Sequence, residues 1–417
     1  MSFDLISQPL RDNQRTALEA ALQSVKQSTA IPDRAAGRFL TNQCASSEWE
    51  QLMSLIEHYQ CAEGAKAPMM LEVVGSTLRR LPLEGQLKLM RSYEIRAWLK
   101  SVQVNANSVD SFTQTLIAHA WVALARATES GLPPLTSRLS IAPNGTLMLP
   151  GLQAHLRGKL PGPGSSVSLR IDECGAALLD GRVNLTVETL QAWALDPPVG
   201  TEPVGKGIDL VFDPCLNDTR IRLYSAETMT TNRTRQENLL VESVGILKEA
   251  WPDIHGALIE LTDAIEFLDD PLRTVVSNEN SPGKMQLGTF AHDPLVAATG
   301  LSHEIAHLYL YEKTRLGQID DTSNKQVFSP WKQCERPAYL TLHALTTYLT
   351  QSLFLARYTL SREIVLPYVQ ATLGREIKRL QLGARAFAES VGTDISPQTQ
   401  SILEAVESFT DEARKAY

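Results

Sequence analysis

The chain has no surplus of positive charge: 39 Lys and Arg stand against 47 Asp and Glu in 417 residues, a net charge of -8. That balance argues against a nucleic-acid partner held on a broad basic surface. No uncharged apolar stretch approaches the length of a membrane span, so no membrane partner is expected either. Met1-Ser2-Phe3-Asp4-Leu5 lacks a basic segment followed by an apolar one, and no signal peptide is read there. Cysteines are few: Cys44, Cys61, Cys174, Cys215 and Cys334 are odd in number and scattered. They form neither a disulfide framework nor a CxxC metal pattern, and a reducing, cytoplasmic location is expected. The glycines follow neither the P-loop nor the dinucleotide spacing, which excludes a phosphate cradle of those kinds. Internal repeats and low-complexity tracts are absent. What is present is an ordinary globular composition, 43% hydrophobic and 21% charged, long enough for two or three packed units.

Apolar periodicity predicts an α+β fold in three regions. Residues 1–131 read as helical: Leu18, Leu22 and Val25 recur at helical spacing, as do Phe112, Leu116, Ala120 and Ala123, with Asp110 as a cap. His119 lies on that apolar face and reads as a satisfied core histidine. Residues 132–230 read as β-rich. Leu139 and Ile141 alternate with polar residues, Asn144-Gly145 supplies a hairpin turn, and Leu147 and Leu149 resume the alternation. After the Pro161-Gly162-Pro163-Gly164 breaker, three more alternating sets follow: Val167, Leu169, Ile171; Val183, Leu185, Val187; and Ile208, Leu210, Phe212. Residues 231–417 return to helical spacing, through Leu240, Val244 and Leu247 and then Ile254, Leu258, Leu261 and Ile265. Trp251-Pro252-Asp253 divides those two helices, with Asp253 as a cap.

The most informative stretch is His303-Glu304-Ile305-Ala306-His307. On a helix, imidazoles four residues apart stack on one face and reach a common divalent ion without bending the backbone. Glu304 lies one step round the helix, close enough to act on a metal-bound ligand, and is the candidate catalytic residue. Asp293-Pro294 supplies an N-cap and a first-turn proline for this helix, which can run to Gly317. Before it, Lys284 to Phe290 alternates weakly and reads as a short strand, where a peptide could add by β-augmentation if the strand is an edge.

Two ligands hold a metal poorly, so a third donor is expected. Downstream, Pro337 suits the first turn of another helix, with Arg336 at its mouth and His343 seven residues after Arg336, on the same face. His343 and Glu335 are the nearest donors, His343 being preferred; Glu312 is poorer because it belongs to the first helix.

These residues resemble a family. The HExxH helix followed by Ser329-Pro330-Trp331, Arg336-Pro337 and Leu342-His343, with Asp213-Pro214 upstream, is similar to the HExxH-motif proteins of ribosomal peptide maturation. Members of that family are 2-oxoglutarate-dependent, non-haem iron peptide β-hydroxylases. The resemblance covers roughly residues 208 to 358. Where the family carries an acidic residue and a proline before the Arg-Pro pair, this chain has Cys334-Glu335.

The resemblance implies Fe(II) on His303, His307 and His343, with 2-oxoglutarate as co-substrate and a ribosomally synthesised precursor peptide as partner. It also implies a zincin-like metal helix and Arg336 on the distal carboxylate of 2-oxoglutarate, which a guanidinium fork can take in two parallel bonds. Trp331 is then a packing residue beside the pocket. Read from HExxH alone, the alternative is a zinc metallopeptidase in which Glu304 takes the proton of a zinc-bound water. A non-catalytic peptide-binding module is the third reading, disfavoured because structural zinc sites are usually closed and cysteine-rich.

Overall fold

Helical spacing in the first third becomes six helices, preceded by the two-residue β1 (Gln8–Pro9): α1 (Asp12–Ser24), α2 (Arg34–Ala62), α3 (Met69–Arg79), α4 (Leu83–Arg91), α5 (Tyr93–Val104) and α6 (Val109–Ala127). The structure is a computed structural model. It describes all residues except 1–6, 27, 63–68, 105–108, 129–132, 144, 153, 196–199, 214, 217–218, 220, 226–232, 273, 290–291, 320–324 and 393–394. Leu18, Val25, Phe112, Leu116 and Ala120 are buried, as their spacing predicts. Asp110 falls inside the first turn of α6 and does not cap it.

The middle of the chain alternates and folds as strands: β2 (Leu135–Ser140), β3 (Leu147–Leu149), β4 (Ala154–Gly158), β5 (Ser166–Asp172), β6 (Gly175–Leu178), β7 (Val183–Thr186), then α7 (Val187–Leu195), β8 (Thr201–Gly205) and β9 (Ile208–Phe212). They form two antiparallel sheets, in the orders β2-β5-β6-β7 and β3-β4-β9-β8. The expected hairpin around Asn144-Gly145 is corrected. Asn144 lies outside the described residues, as does Pro214, and the flanking β2 and β3 belong to different sheets. Val187 begins α7 and does not extend β7.

The remaining elements are β10 (Arg222–Ser225), α8 (Arg233–Ala250), α9 (Pro252–Leu261), β11 (Ala264–Phe267), β12 (Val275–Ser277), β13 (Lys284–Leu287), α10 (Pro294–Arg315), β14 (Gln326–Ser329), β15 (Cys334–Pro337), α11 (Ala338–Arg362), β16 (Ile364–Val365), α12 (Pro367–Val391) and α13 (Pro397–Ala413). Trp251 stands at the N-cap position of α9 without a side-chain capping bond, with Pro252 first in the helix and Asp253 inside its first turn. Ile265 belongs to β11, so the helix expected to reach it stops at Leu261. A mixed sheet runs β10-β11-β13-β12, with β12 antiparallel on its edge. The strand read at Lys284 is therefore interior, paired on both sides, and offers a peptide no free edge. Phe290, its expected end, lies outside the described residues.

Two large apolar cores result. One joins the second half of α2 and α3–α6 to the two antiparallel sheets, from Ala45 to Phe212. The other joins Ala21, Val25, Ala30 and Leu40 to the segment from Leu216 to Ala413. The cores divide between Phe212 and Leu216, and α2 runs through both; the boundaries expected at 131 and 230 do not separate them. Among the described residues no helix is long and apolar enough to cross a membrane.

Candidate metal centre

Helix α10 begins where the sequence says it should. The Asp293 side chain accepts from the backbone N–H of Leu295 at 2.8 Å and of Val296 at 3.2 Å, and Pro294 takes the first position, where its missing N–H costs nothing. The helix ends before Gly317, whose φ of 66° suits a residue without Cβ. Leu301, Ile305 and Leu308 bury one side of α10 in the core, leaving His303 and His307 half-buried on a neighbouring face. Their ring centroids are 5.0 Å apart. Ligand atoms of His303, Glu304 and His307 all lie within 4.8 Å of one another.

The third imidazole comes from the next helix. His343 on α11 is 6% exposed, and its ring centroid is 5.7 Å from that of His307. It is not part of the tight group formed by the α10 residues. Glu335 does not compete. It lies in β15 opposite Phe328 and is exposed, whereas the next pair, Val327 and Arg336, puts the buried Val327 on the other face of the hairpin. Glu312 is engaged elsewhere, with both oxygens 2.7 Å from Arg96 Nη2. Pro337 ends β15 and immediately precedes α11; it is not in the helix. Arg336 thus sits in a hairpin strand, so the helical argument placing it on one face with His343 fails, although α11 follows directly. It is half-buried and has no ion-pair partner among the described residues.

Glu304 is held by a residue the sequence did not single out. Its Oε2 accepts the backbone N–H of Ser277 at 2.8 Å and the Ser277 hydroxyl at 2.6 Å. Ser277 ends β12, the edge strand against which α10 packs, and Val275 fits beside Gly300, where an added Cβ would lie 3.1 Å from a Val275 methyl. A three-residue strand is too short to announce itself by alternation.

An aromatic wall completes the surroundings. The Tyr311 ring stacks on His307 at 5.7 Å and lies 5.4 Å from His343, while Tyr348 meets His303 edge-on at 4.7 Å. Trp331 stacks on Tyr348 at 4.8 Å, and its indole N–H donates to Glu376 at 2.8 Å. The packing role expected for Trp331 is the one it has. Tyr311, Tyr348 and Ser277 gave no signal in the sequence beyond their helical or strand register.

Burial sets the protonation states. It pushes His303 down to about 4, against the opposing pull of the Gln351 side chain, and pushes His343 down to about 4. His307 falls well below its ordinary value through burial and then the charges of His303 and His343. All three are neutral near pH 7, the form with a nitrogen lone pair to give. Nδ1 of His303 and of His307 is buried with no hydrogen-bond partner among the described residues. Such orphaned nitrogens are costly unless something electrophilic meets them, and a divalent cation among neutral imidazoles would do so. The donor set fits a metal. Burial raises Glu304 to about 7, although both Ser277 donors pull it down.

No protein-family model matches the chain, and no curated protein does.

Proposed function

We propose that this protein is a cytoplasmic Fe(II)- and 2-oxoglutarate-dependent dioxygenase that β-hydroxylates a side chain of a ribosomally synthesised precursor peptide. His303, His307 and His343 would hold the iron, and α10 would serve as a zincin-like metal helix. Held there, ferrous iron would let dioxygen act as the oxidant: one oxygen atom would enter an aliphatic C–H bond of the peptide as C–OH and the other would go into succinate as 2-oxoglutarate loses carbon dioxide. Three protein ligands suit that chemistry because they leave positions for a chelating keto acid and dioxygen. The five free cysteines are compatible with a reducing compartment.

One observation carries this reading over hydrolysis: Oε2 of Glu304 is committed to both donors of Ser277. A carboxylate so bound keeps α10 in register with the sheet edge, and its Oε2 is not free to take a proton from a metal-bound water. Arg336, half-buried and without an ion-pair partner among the described residues, can take a dicarboxylate's far end. Tyr311 and Tyr348, the latter backed by Trp331, set aromatic rings against the imidazoles.

A zinc metallopeptidase is the second reading, favoured by the Glu304 carboxyl being pushed up to about 7, where a general base works best. Incubation with a candidate peptide separates the two. An intact peptide heavier by one oxygen, with succinate formed only when iron, 2-oxoglutarate and peptide are all present, supports the hydroxylase. Backbone cleavage supported by zinc and abolished by Glu304→Gln overturns it.

A further inference from the structure

A cleft of about 1000 Å³ opens between α4, α6, α7 and the turn that follows α9, and none of the metal-centre residues lines it. That volume stands at the upper end of small-molecule sites. Its charge is unlike that of the protein. Arg80, Lys88, Arg91 and Arg126 line it with Glu84; the first three also have partners within the protein, Arg91 donating to Asn42 Oδ1 among them. The other acids lining it are already engaged: Glu260 by Arg34 and Arg38, Asp263 by Arg222. An acidic protein has therefore gathered cations in one place. Lys88 feels the crowding, since burial and then the Arg126 charge push its pKa down. Arg126 itself is exposed and has no ion pair among the described residues.

The rest of the lining is apolar or short of hydrogen bonds. Leu83 is 66% exposed at the start of α4, and Leu190 and Trp193 of α7 form another part of the wall. The Thr262 hydroxyl, on a residue only 2% exposed, and Nδ1 of His119 are buried without partners among the described residues. His119 is thus not the satisfied core histidine its spacing predicts. Buried polar groups of this kind cost stability unless something meets them.

We propose that this cleft is a second binding site, for an acidic peptide segment with bulky apolar side groups. Carboxylates answer the separated cations, and apolar groups cover Leu83 and Trp193. Several cations spread along a long cleft suit a row of carboxylates better than one head group. The identification of the occupant as peptide rests on the peptide-modifying reading above; the charge and shape do not. Contact with the metal helix exists: Arg96, which lines the cleft, is the residue that binds Glu312 of α10.

The test needs no turnover. A fluorescein-labelled octapeptide alternating Glu and Leu is titrated with the metal-free protein and followed by anisotropy. Saturable binding is expected, unchanged by His303→Ala. Arg126→Glu should weaken it by about tenfold or more, as should raising salt from about 0.05 to about 0.5 M. A Lys and Leu counterpart should not bind. Absence of binding, equal binding of both peptides, or indifference to Arg126→Glu overturns the proposal. So does decanoate binding more tightly than the peptide and displacing it, which would make the cleft a site for a small acyl anion. Because neither iron nor product is involved, any of these results leaves the hydroxylase reading to stand or fall separately.

Discussion

Arg96 of α5 and Glu312 of α10 are 216 positions apart in sequence, and both carboxylate oxygens of Glu312 lie 2.7 Å from the same guanidinium nitrogen. The pair is 3% exposed on each side. Arg96 also binds Glu48 of α2 at 2.9 Å, and Arg315 closes the group by reaching Glu48. Helix α10 is thereby tied to two helices of the amino-terminal third through charge as well as packing. Burial pushes Glu312 up, yet Arg96 and Arg315 hold it below the ordinary carboxylate range.

Removing one member strands the others in a dry site. Arg96→Met should cost about 3–5 kcal/mol, because two buried carboxylates lose their main partner. A lowered urea midpoint is the readout. Restoring much of that loss by adding Glu312→Gln would show that the stranded charge is what destabilises. A single variant as stable as the parent would mean that Arg315 alone neutralises the group.

The proposed metal centre turns most sharply on one residue. His343→Ala should weaken binding of Zn(II) or Co(II), measured by calorimetry, by more than about 100-fold, beyond what loss of an outer hydrogen bond costs. Glu335→Ala should leave affinity unchanged, since that carboxylate points to solvent. Equal effects of the two substitutions would reject the ligand set.

Local signals were readable where a single turn of backbone decides the outcome. Asp293-Pro294 starts α10 and Gly317 ends it because capping and φ are local matters. HExxH brings its own residues together for the same reason. Other features depend on distant partners. Pro337 reads equally as a helix start or a strand end, and its pairing with Gln326 made it the latter. Lys284 to Leu287 looks like any short strand until β11 and β12 flank it. Neither Ser277 beneath Glu304 nor Arg96 beside Glu312 can be found without the fold, since nothing in either segment refers to the other.

Two glycines of α12 give opposite expectations for one substitution. Alanine in a helix interior gains about 1 kcal/mol over glycine. At Gly374 an added Cβ meets nothing within 4 Å, so Gly374→Ala should raise the thermal midpoint. At Gly383 the Cβ would stand 3.1 Å from Cζ3 of Trp331 and 3.3 Å from a Leu345 methyl. The indole is held by its stack on Tyr348 and its bond to Glu376, so it yields only by disturbing the aromatic rings beside His303. Gly383→Ala should forfeit the gain and alter the near-ultraviolet circular dichroism. A midpoint raised equally by both would show that Trp331 moves freely.

Lys313 supplies a pH dependence far from the metal chemistry. Its ammonium is buried on the far side of α10, donating to the Thr29 carbonyl at 2.7 Å and to Gln398 at 3.3 Å, with the Tyr309 ring 4.6 Å away. Burial pushes it from 10.5 down to about 8. Between those values the unfolded protein holds the proton that the folded one has released, so stability rises with pH across the window. The full shift caps the effect at about 3 kcal/mol. Lys313→Met removes the titrating group, so its stability relative to the parent should fall as pH climbs from about 8 to 10.5, and be flat below. Parallel curves of urea midpoint against pH for the two proteins would mean that the three neighbours already stabilise the charged amine as well as water does.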